Sequence, residues 1–216
     1  MQRMPSDGAR VRVRRIVRVG EASLECTIYG SGDEGLECAP AYVLGHAFGN
    51  RVARCLAADR PALVRAVILL AAGGLITPST PLGTAFRDAG DAKRTGIECV
   101  TLGARWLSAV SDPSVLRTVE CWPMVHIAQL ATSRRTAVED CWAGGTAPLL
   151  VIQGLDDEAA PPGNGRALRD QLGERVTLVD IPCAGHFLVL EQPEAVFAAV
   201  RSFIERASHQ QSKSTN

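Results

Sequence analysis

Apolar and charged residues alternate near the start of the chain. The alternating residues are Val11, Arg12, Val13, Arg14, Val17, Arg18 and Val19. A period of two is typical of a strand with one face exposed. Residues 10–30 are therefore predicted to form two strands, which end at the turn sequence Gly30-Ser31-Gly32-Asp33.

Later in the chain, short runs of apolar residues alternate with segments of helical periodicity. The predicted strands are 41–45, 64–71, 149–152 and 176–181, and the predicted helices are 50–60, 162–172 and a last helix that starts at Pro193. The run at 64–71 is apolar except for Arg65, which is typical of a strand buried on both faces of a parallel sheet. Strands that alternate with helices predict an α/β fold with a mainly parallel sheet and flanking helices.

Residues 78–145 differ from the rest, because they contain no convincing strand and carry all three tryptophans, Trp106, Trp122 and Trp142. We interpret this segment as a helical insertion. The predicted organisation is a core in two parts, 10–77 and 146–206, with the insertion between them. Residues 1–9 and 207–216 are expected to be flexible tails.

Composition and charge narrow the possible functions of these 216 residues. Apolar residues make up 46% and charged residues 21%, as in a globular protein. Lys plus Arg and Asp plus Glu number 23 each, so there is no electrostatic case for nucleic acid or an anionic membrane. No transmembrane run or secretory signal is visible. Seven cysteines without a C-x-x-C indicate reduced thiols in a cytoplasmic protein, and four scattered histidines predict no metal or other cofactor.

Three segments carry the candidate chemistry. Gly45-His46-Ala47-Phe48-Gly49 lies between a predicted strand and a predicted helix, which is the context of the nucleophile elbow G-x-S-x-G. A second segment runs from a strand through Gly154 into Asp156 and Asp157, and a third runs from a strand into His186. Nucleophile position, acid and histidine follow one another in the order of the α/β hydrolases.

With these motifs, the chain resembles the α/β-hydrolase superfamily over about residues 10–206, in the branch of small cap-bearing esterases and carbon–carbon bond hydrolases. The resemblance implies that Ala47 occupies the nucleophile position, that Asp157 is the triad acid and that His186 is the general base. It also implies an oxyanion-hole role for the backbone N–H of Phe48. Residues 78–145 correspond to the helical cap, and the ancestral activity is hydrolysis of a small ester or similar carbonyl substrate.

The resemblance also suggests a substrate pocket for a small, apolar, ester-like ligand. Its candidate lining residues are His46, Trp106, Trp122 and His126. Each has an alternative structural role, since His46 can orient the turn and the other three can pack among the cap helices. Cys183 lies three residues before His186, and we expect a buried, inert thiol there rather than a substitute nucleophile.

The chain departs from the family pattern at two places. A methyl group at Ala47 cannot attack a carbonyl carbon. After Gly35, moreover, the chain runs almost directly into the elbow strand, so that a block of about 50 residues with central strands and the oxyanion loop is missing. We expect a sheet shortened on its N-terminal side. Lost strand neighbours also favour edge pairing between subunits, and thus a possible homo-oligomer.

Three functional hypotheses follow from the sequence. The chain has lost or nearly lost hydrolysis and retains a small-molecule pocket, or it is an active non-covalent hydrolase that uses an Asp157–His186 dyad. In the third hypothesis it is an inactive deletion fragment of a longer hydrolase.

Overall fold

The computed structural model describes residues 11–19, 22–30, 40–78, 104–118, 128–129, 131–133 and 135–214. It divides the chain into two compact units, residues 1–39 and 40–216. The first unit contains an antiparallel pair of strands, β1 (Val11–Val19) and β2 (Ala22–Gly30). In their antiparallel register, Val11 lies opposite Gly30 and Val19 opposite Ala22.

The second unit is built on a parallel sheet whose strands follow chain order. They are β3 (Ala41–His46), β4 (Val64–Leu70), β5 (Leu149–Gly154) and β6 (Val176–Ile181). The helices are α1 (Phe48–Asp59), α2 (Gly163–Leu172), α3 (Leu188–Glu191) and α4 (Pro193–Ser214), with 3-10 turns at Pro61–Leu63, Ala104–Trp106, Pro113–Thr118 and Gly173–Arg175. This architecture confirms the predicted mainly parallel α/β fold.

Both faces of the sheet are covered, because alternate residues of one strand enter opposite cores. Leu149 and Val151 pack with α1 and α2 through residues such as Ala53 and Leu168. The intervening Leu150 and Ile152 pack on the other side with residues of α3 and α4, namely Leu188, Val196 and Phe203. Burial on two faces explains why apolar residues make up most of the central strands.

Element boundaries differ from the prediction mainly at the chain end. Helix α4 continues to Ser214, so the segment expected to be a flexible tail from 207 is helical for most of its length. Good helix formers there, with no Gly or Pro, allow the helix to continue. The helical cap at 78–145 stays a prediction, since residues 79–103, 119–127, 130 and 134 lie outside the described part.

The described sheet begins at the elbow strand. Among the described strands β3 pairs only with β4, and its Leu44 side chain is 52% exposed. This position fits the expected shortening of the sheet. All four strands point the same way, so the segments that follow them lie at one edge, where parallel α/β sheets bind their ligands. Ala47, Asp157 and His186 all follow strand ends at this edge.

Candidate active site

The elbow is a strained turn at Ala47. The residue has φ 52° and ψ −116°, a region that residues with a Cβ rarely occupy, at a cost of about 1–3 kcal/mol. Its N–H donates to the Leu70 carbonyl at 3.2 Å, and its own carbonyl accepts from the Asn50 N–H at 3.0 Å. The turn therefore has the strand-to-helix form of a nucleophile elbow, with a methyl group where the attacking hydroxyl would be.

The two glycines of the elbow motif have different roles. A Cβ placed on Gly45 would lie 2.3 Å from the Gly49 carbonyl oxygen and 2.7 Å from the Asn50 nitrogen, so only glycine fits where β3 meets α1. A Cβ on Gly49 would meet nothing within 4 Å. The tight approach thus depends on Gly45, whereas the sequence motif treats both glycines alike.

Asn50 holds the start of α1 against the end of β4. Its side-chain amide is fully buried and donates to the carbonyls of Leu70 at 2.8 Å and Ala71 at 2.9 Å. The sequence prediction missed this role. A polar residue at helical spacing from Ala53 and Ala57 was the available signal, because buried amides need hydrogen-bond partners.

Asp157 and His186 form a buried hydrogen-bonded pair. The Nδ1 of His186 lies 3.0 Å from Oδ2 and 3.2 Å from Oδ1 of Asp157. Oδ1 also accepts the N–H groups of Ala159 at 2.8 Å and Ala160 at 2.7 Å, which fixes the carboxylate. An ionised carboxylate only accepts, so neutral His186 carries its proton on Nδ1 and leaves Nε2 as the basic nitrogen.

His46 and Trp106 surround the His186 backbone and ring. The Nε2–H of His46 donates to the His186 carbonyl at 2.8 Å, and the two rings are 5.1 Å apart. The His186 N–H donates to the Trp106 carbonyl at 2.7 Å, and the Trp106 indole meets the His186 ring edge-on. Burial, reinforced by nearby His186, lowers the pKa of His46, so His46 is a neutral orienting group.

Glu191 braces the loop that carries His186. One of its carboxylate oxygens accepts the Gly185 N–H at 2.9 Å, and the other accepts the Ser108 N–H at 2.8 Å and the Ser111 hydroxyl at 2.6 Å. The Ser108 hydroxyl in turn donates to Asp156 at 2.7 Å. Sequence reasoning assigned no role to Glu191, whose partners are distant in the chain.

A cavity of about 330 Å³ opens beside the elbow. Its described lining residues are Ala47, Phe48, Arg51, Arg54, Gly73, Gly74, Ile76, Thr77, Pro78, Ser133, Val138, Cys141 and Ala159. The lining includes neither His46 nor Trp106, which contact His186 instead, and Trp122 and His126 lie outside the described residues. The assignment of these four to a substrate pocket stays a prediction.

Neither Cys183 nor Cys55 is placed as an alternative nucleophile. Cys183 is exposed in the turn after β6, where its φ is 53°, which corrects the expectation of a buried thiol. The left-handed turn there leads the chain out of the sheet and leaves the side chain in solvent. Burial raises the pKa of the Cys55 thiol to about 12, so Cys55 stays protonated and unreactive.

Sequence comparison agrees with the strained elbow, the buried acid–histidine pair and their order in the chain. The model of the alpha/beta hydrolase family matches residues 6–200. The chain belongs to this family. A relative from Mycobacterium tuberculosis named as a non-heme bromoperoxidase, BpoC, is 29% identical over 188 residues, which span 79% of this chain and 70% of the relative.

Solved structures with similar folds support the membership. The crystal structure of BpoC covers 80% of this chain and 69% of its own, with a TM-score of 0.66 and 24% identity. A thermophilic esterase from Thermogutta terrifontis has a TM-score of 0.63 at 22% identity and covers 78% of this chain and 66% of its own. At these identities the structures establish the α/β-hydrolase fold, and the resemblance seen in the sequence is confirmed.

In the described part of the chain, no helix has the length and apolar character needed to span a bilayer. Within the same residues, no three His, Cys, Asp or Glu side chains come together in a way that could bind a metal ion.

Proposed function

We propose that this α/β-hydrolase-family protein binds a small ester-like molecule beside its elbow and has lost, or nearly lost, covalent hydrolysis. The observation that carries the proposal is Ala47 at the strained elbow. Covalent hydrolysis of an ester needs an oxygen or sulfur nucleophile at that position, and a methyl group provides neither. The Asp157–His186 pair then has no hydroxyl to deprotonate.

A second feature supports impaired turnover. Residues 31–40 are the whole connection between β2 and β3. Two further strands with their helices need many more residues than that. In the family, the oxyanion loop lies among those further strands and helices. Without it, the backbone N–H of Phe48 is the remaining donor of the oxyanion hole. One lost oxyanion donor lowers kcat by about 10²–10³.

Restoring the hydroxyl tests the proposal. We expect Ala47→Ser to hydrolyse p-nitrophenyl acetate with a kcat at least about 10²-fold below that of ordinary esterases, because the oxyanion hole stays incomplete. The matched control is Ala58→Ser, which adds a hydroxyl to the same helix at a half-buried position. An Ala47→Ser rate within about tenfold of ordinary esterases would falsify the proposed loss of the oxyanion hole.

The geometry of the Asp157–His186 pair favours a second candidate, non-covalent hydrolysis by a water molecule activated at His186 Nε2. Such general-base catalysis contributes about 10²–10⁴ in rate. It predicts that His186→Ala lowers ester turnover relative to that of the unaltered chain. Turnover that is unchanged in His186→Ala rules this candidate out.

The remaining expectations about the cellular setting belong to the same proposal. They are a cytoplasmic location, a small-molecule partner rather than nucleic acid or membrane, and possible pairing of subunits through the exposed side of β3. The neutral net charge supports the exclusion of nucleic acid as a partner. The exposure of Leu44 supports the pairing of subunits through β3.

A further inference from the structure

The cavity beside the elbow has two arginines in its wall. Arg51 and Arg54 both line it, whereas no Asp or Glu is among its described lining residues. Arg54 is 3% exposed, which is unusual for a charged side chain without an acidic partner. The described wall therefore carries positive charge, on a half-buried Arg51 and a buried Arg54.

Among the described residues, the hydrogen-bond partners of Arg54 are neutral oxygen atoms. Its guanidinium donates to the carbonyls of Gly73 at 2.9 Å, Asn50 at 3.3 Å and Trp142 at 3.4 Å, and lies 5.1 Å from the centre of the Trp142 ring. Ion pairs in the described part of the chain involve other residues. A guanidinium has five N–H donors, so these three bonds leave two donors for another acceptor.

Arg51 adds a second charge of the same kind. Its side chain donates to the carbonyls of Ser133 at 3.2 Å and Thr136 at 2.9 Å, so its charge is also met by neutral oxygens. Ala47 and Phe48, at the start of α1, line the same cavity, and the N-terminus of a helix favours negative charge. Three sources of positive potential therefore meet there.

We infer that the molecule bound beside the elbow carries a carboxylate, which Arg51 and Arg54 hold while its ester or other carbonyl group faces Ala47 and Phe48. This inference rests on the proposed binding function and names the class of ligand. A planar carboxylate matches the two-pronged donor geometry of a guanidinium. Ile76, Pro78 and Val138 supply apolar surface for the carbon chain between the two groups.

Calorimetric titration with two esters that differ by one methyl group tests the inference. Monomethyl adipate carries one carboxylate and one methyl ester, whereas dimethyl adipate carries two esters and no charge. We expect the monoester to bind at least about tenfold more tightly at low salt, because its carboxylate accepts charge-assisted hydrogen bonds from the guanidinium groups and a second ester does not. The preference should shrink at high salt, since screening weakens charge interactions at an open site.

Substitution of each arginine tests whether it causes the preference for the monoester. Arg51→Gln should reduce it several-fold, and Arg54→Gln should reduce it further where the protein remains folded. Arg60→Gln, an exposed arginine at the other end of α1, should leave it unchanged. Equal affinity for the two esters, no binding of the monoester, or a preference that survives Arg51→Gln overturns the inference.

The same titration separates this inference from the proposed loss of hydrolysis. Products are measured by chromatography at the end of each titration. If the unaltered chain releases methanol, the proposed loss of hydrolysis is wrong. The relative affinities of the two esters still test the carboxylate site.

Discussion

Replacing Gly45 by alanine is expected to destabilise the parallel-sheet unit by about 4 kcal/mol or more, a large share of the 5–15 kcal/mol that holds an ordinary domain together. The new Cβ would lie 2.3 Å from the Gly49 carbonyl oxygen and 2.4 Å from its carbon. Both atoms belong to backbone, so neither can rotate away. Relief requires that α1 move from the end of β3, which breaks the Asn50 hydrogen bonds to Leu70 and Ala71.

Urea denaturation followed by circular dichroism measures this effect, and Gly49→Ala is its matched control. Gly49 has open space at the Cβ position and lies in the first turn of α1, where alanine is the better helix former by about 0.8–1 kcal/mol. The control is therefore expected to be as stable as the parent chain or slightly more stable. A Gly45→Ala protein with the stability of the parent would contradict the close approach of β3 and α1.

The contrast between these glycines shows what the sequence could predict. The G-x-x-x-G spacing located the turn, because a strand, a tight turn and a helix leave a local pattern of residue types. It could not rank the glycines, since the requirement at Gly45 comes from atoms of the next helix. The strands were predictable in the same way, from their apolar runs. The end of α4 was not, because a polar sequence there still forms a helix to Ser214.

The candidate site likewise has one part that the sequence predicts and one part that it does not. Asp157 and His186 were predictable because each follows a strand end in the order of a known family, and their hydrogen bond brings them together. The charge on the cavity wall was not predictable. Arg51 and Arg54 lie on the helix after the elbow, and nothing local indicates that Arg54 is buried against carbonyls of Gly73 and Trp142. Contacts over such sequence separations arise only from the folded chain.

Removing the carboxylate of Asp157 is the second change with a large expected effect. Asp157→Ala is expected to cost about 3–5 kcal/mol, because it leaves the N–H groups of Ala159 and Ala160 and the Nδ1 of His186 without their acceptor in a buried place. Glu158→Ala is the control, since Glu158 is exposed and should change stability by less than about 0.5 kcal/mol. Equal stability of the two variants would contradict the buried pair.

Asp157→Asn separates the structural role of this carboxylate from its effect on the histidine. The amide oxygen can still accept the N–H groups of Ala159 and Ala160, so the loss of stability should be smaller than for alanine. The amide nitrogen would face His186 Nδ1 as a donor, which forces the imidazole proton onto Nε2. Nitrogen-15 NMR of the imidazole should therefore show the opposite tautomer in the variant. An unchanged tautomer would mean that Asp157 does not determine which ring nitrogen of His186 carries the proton.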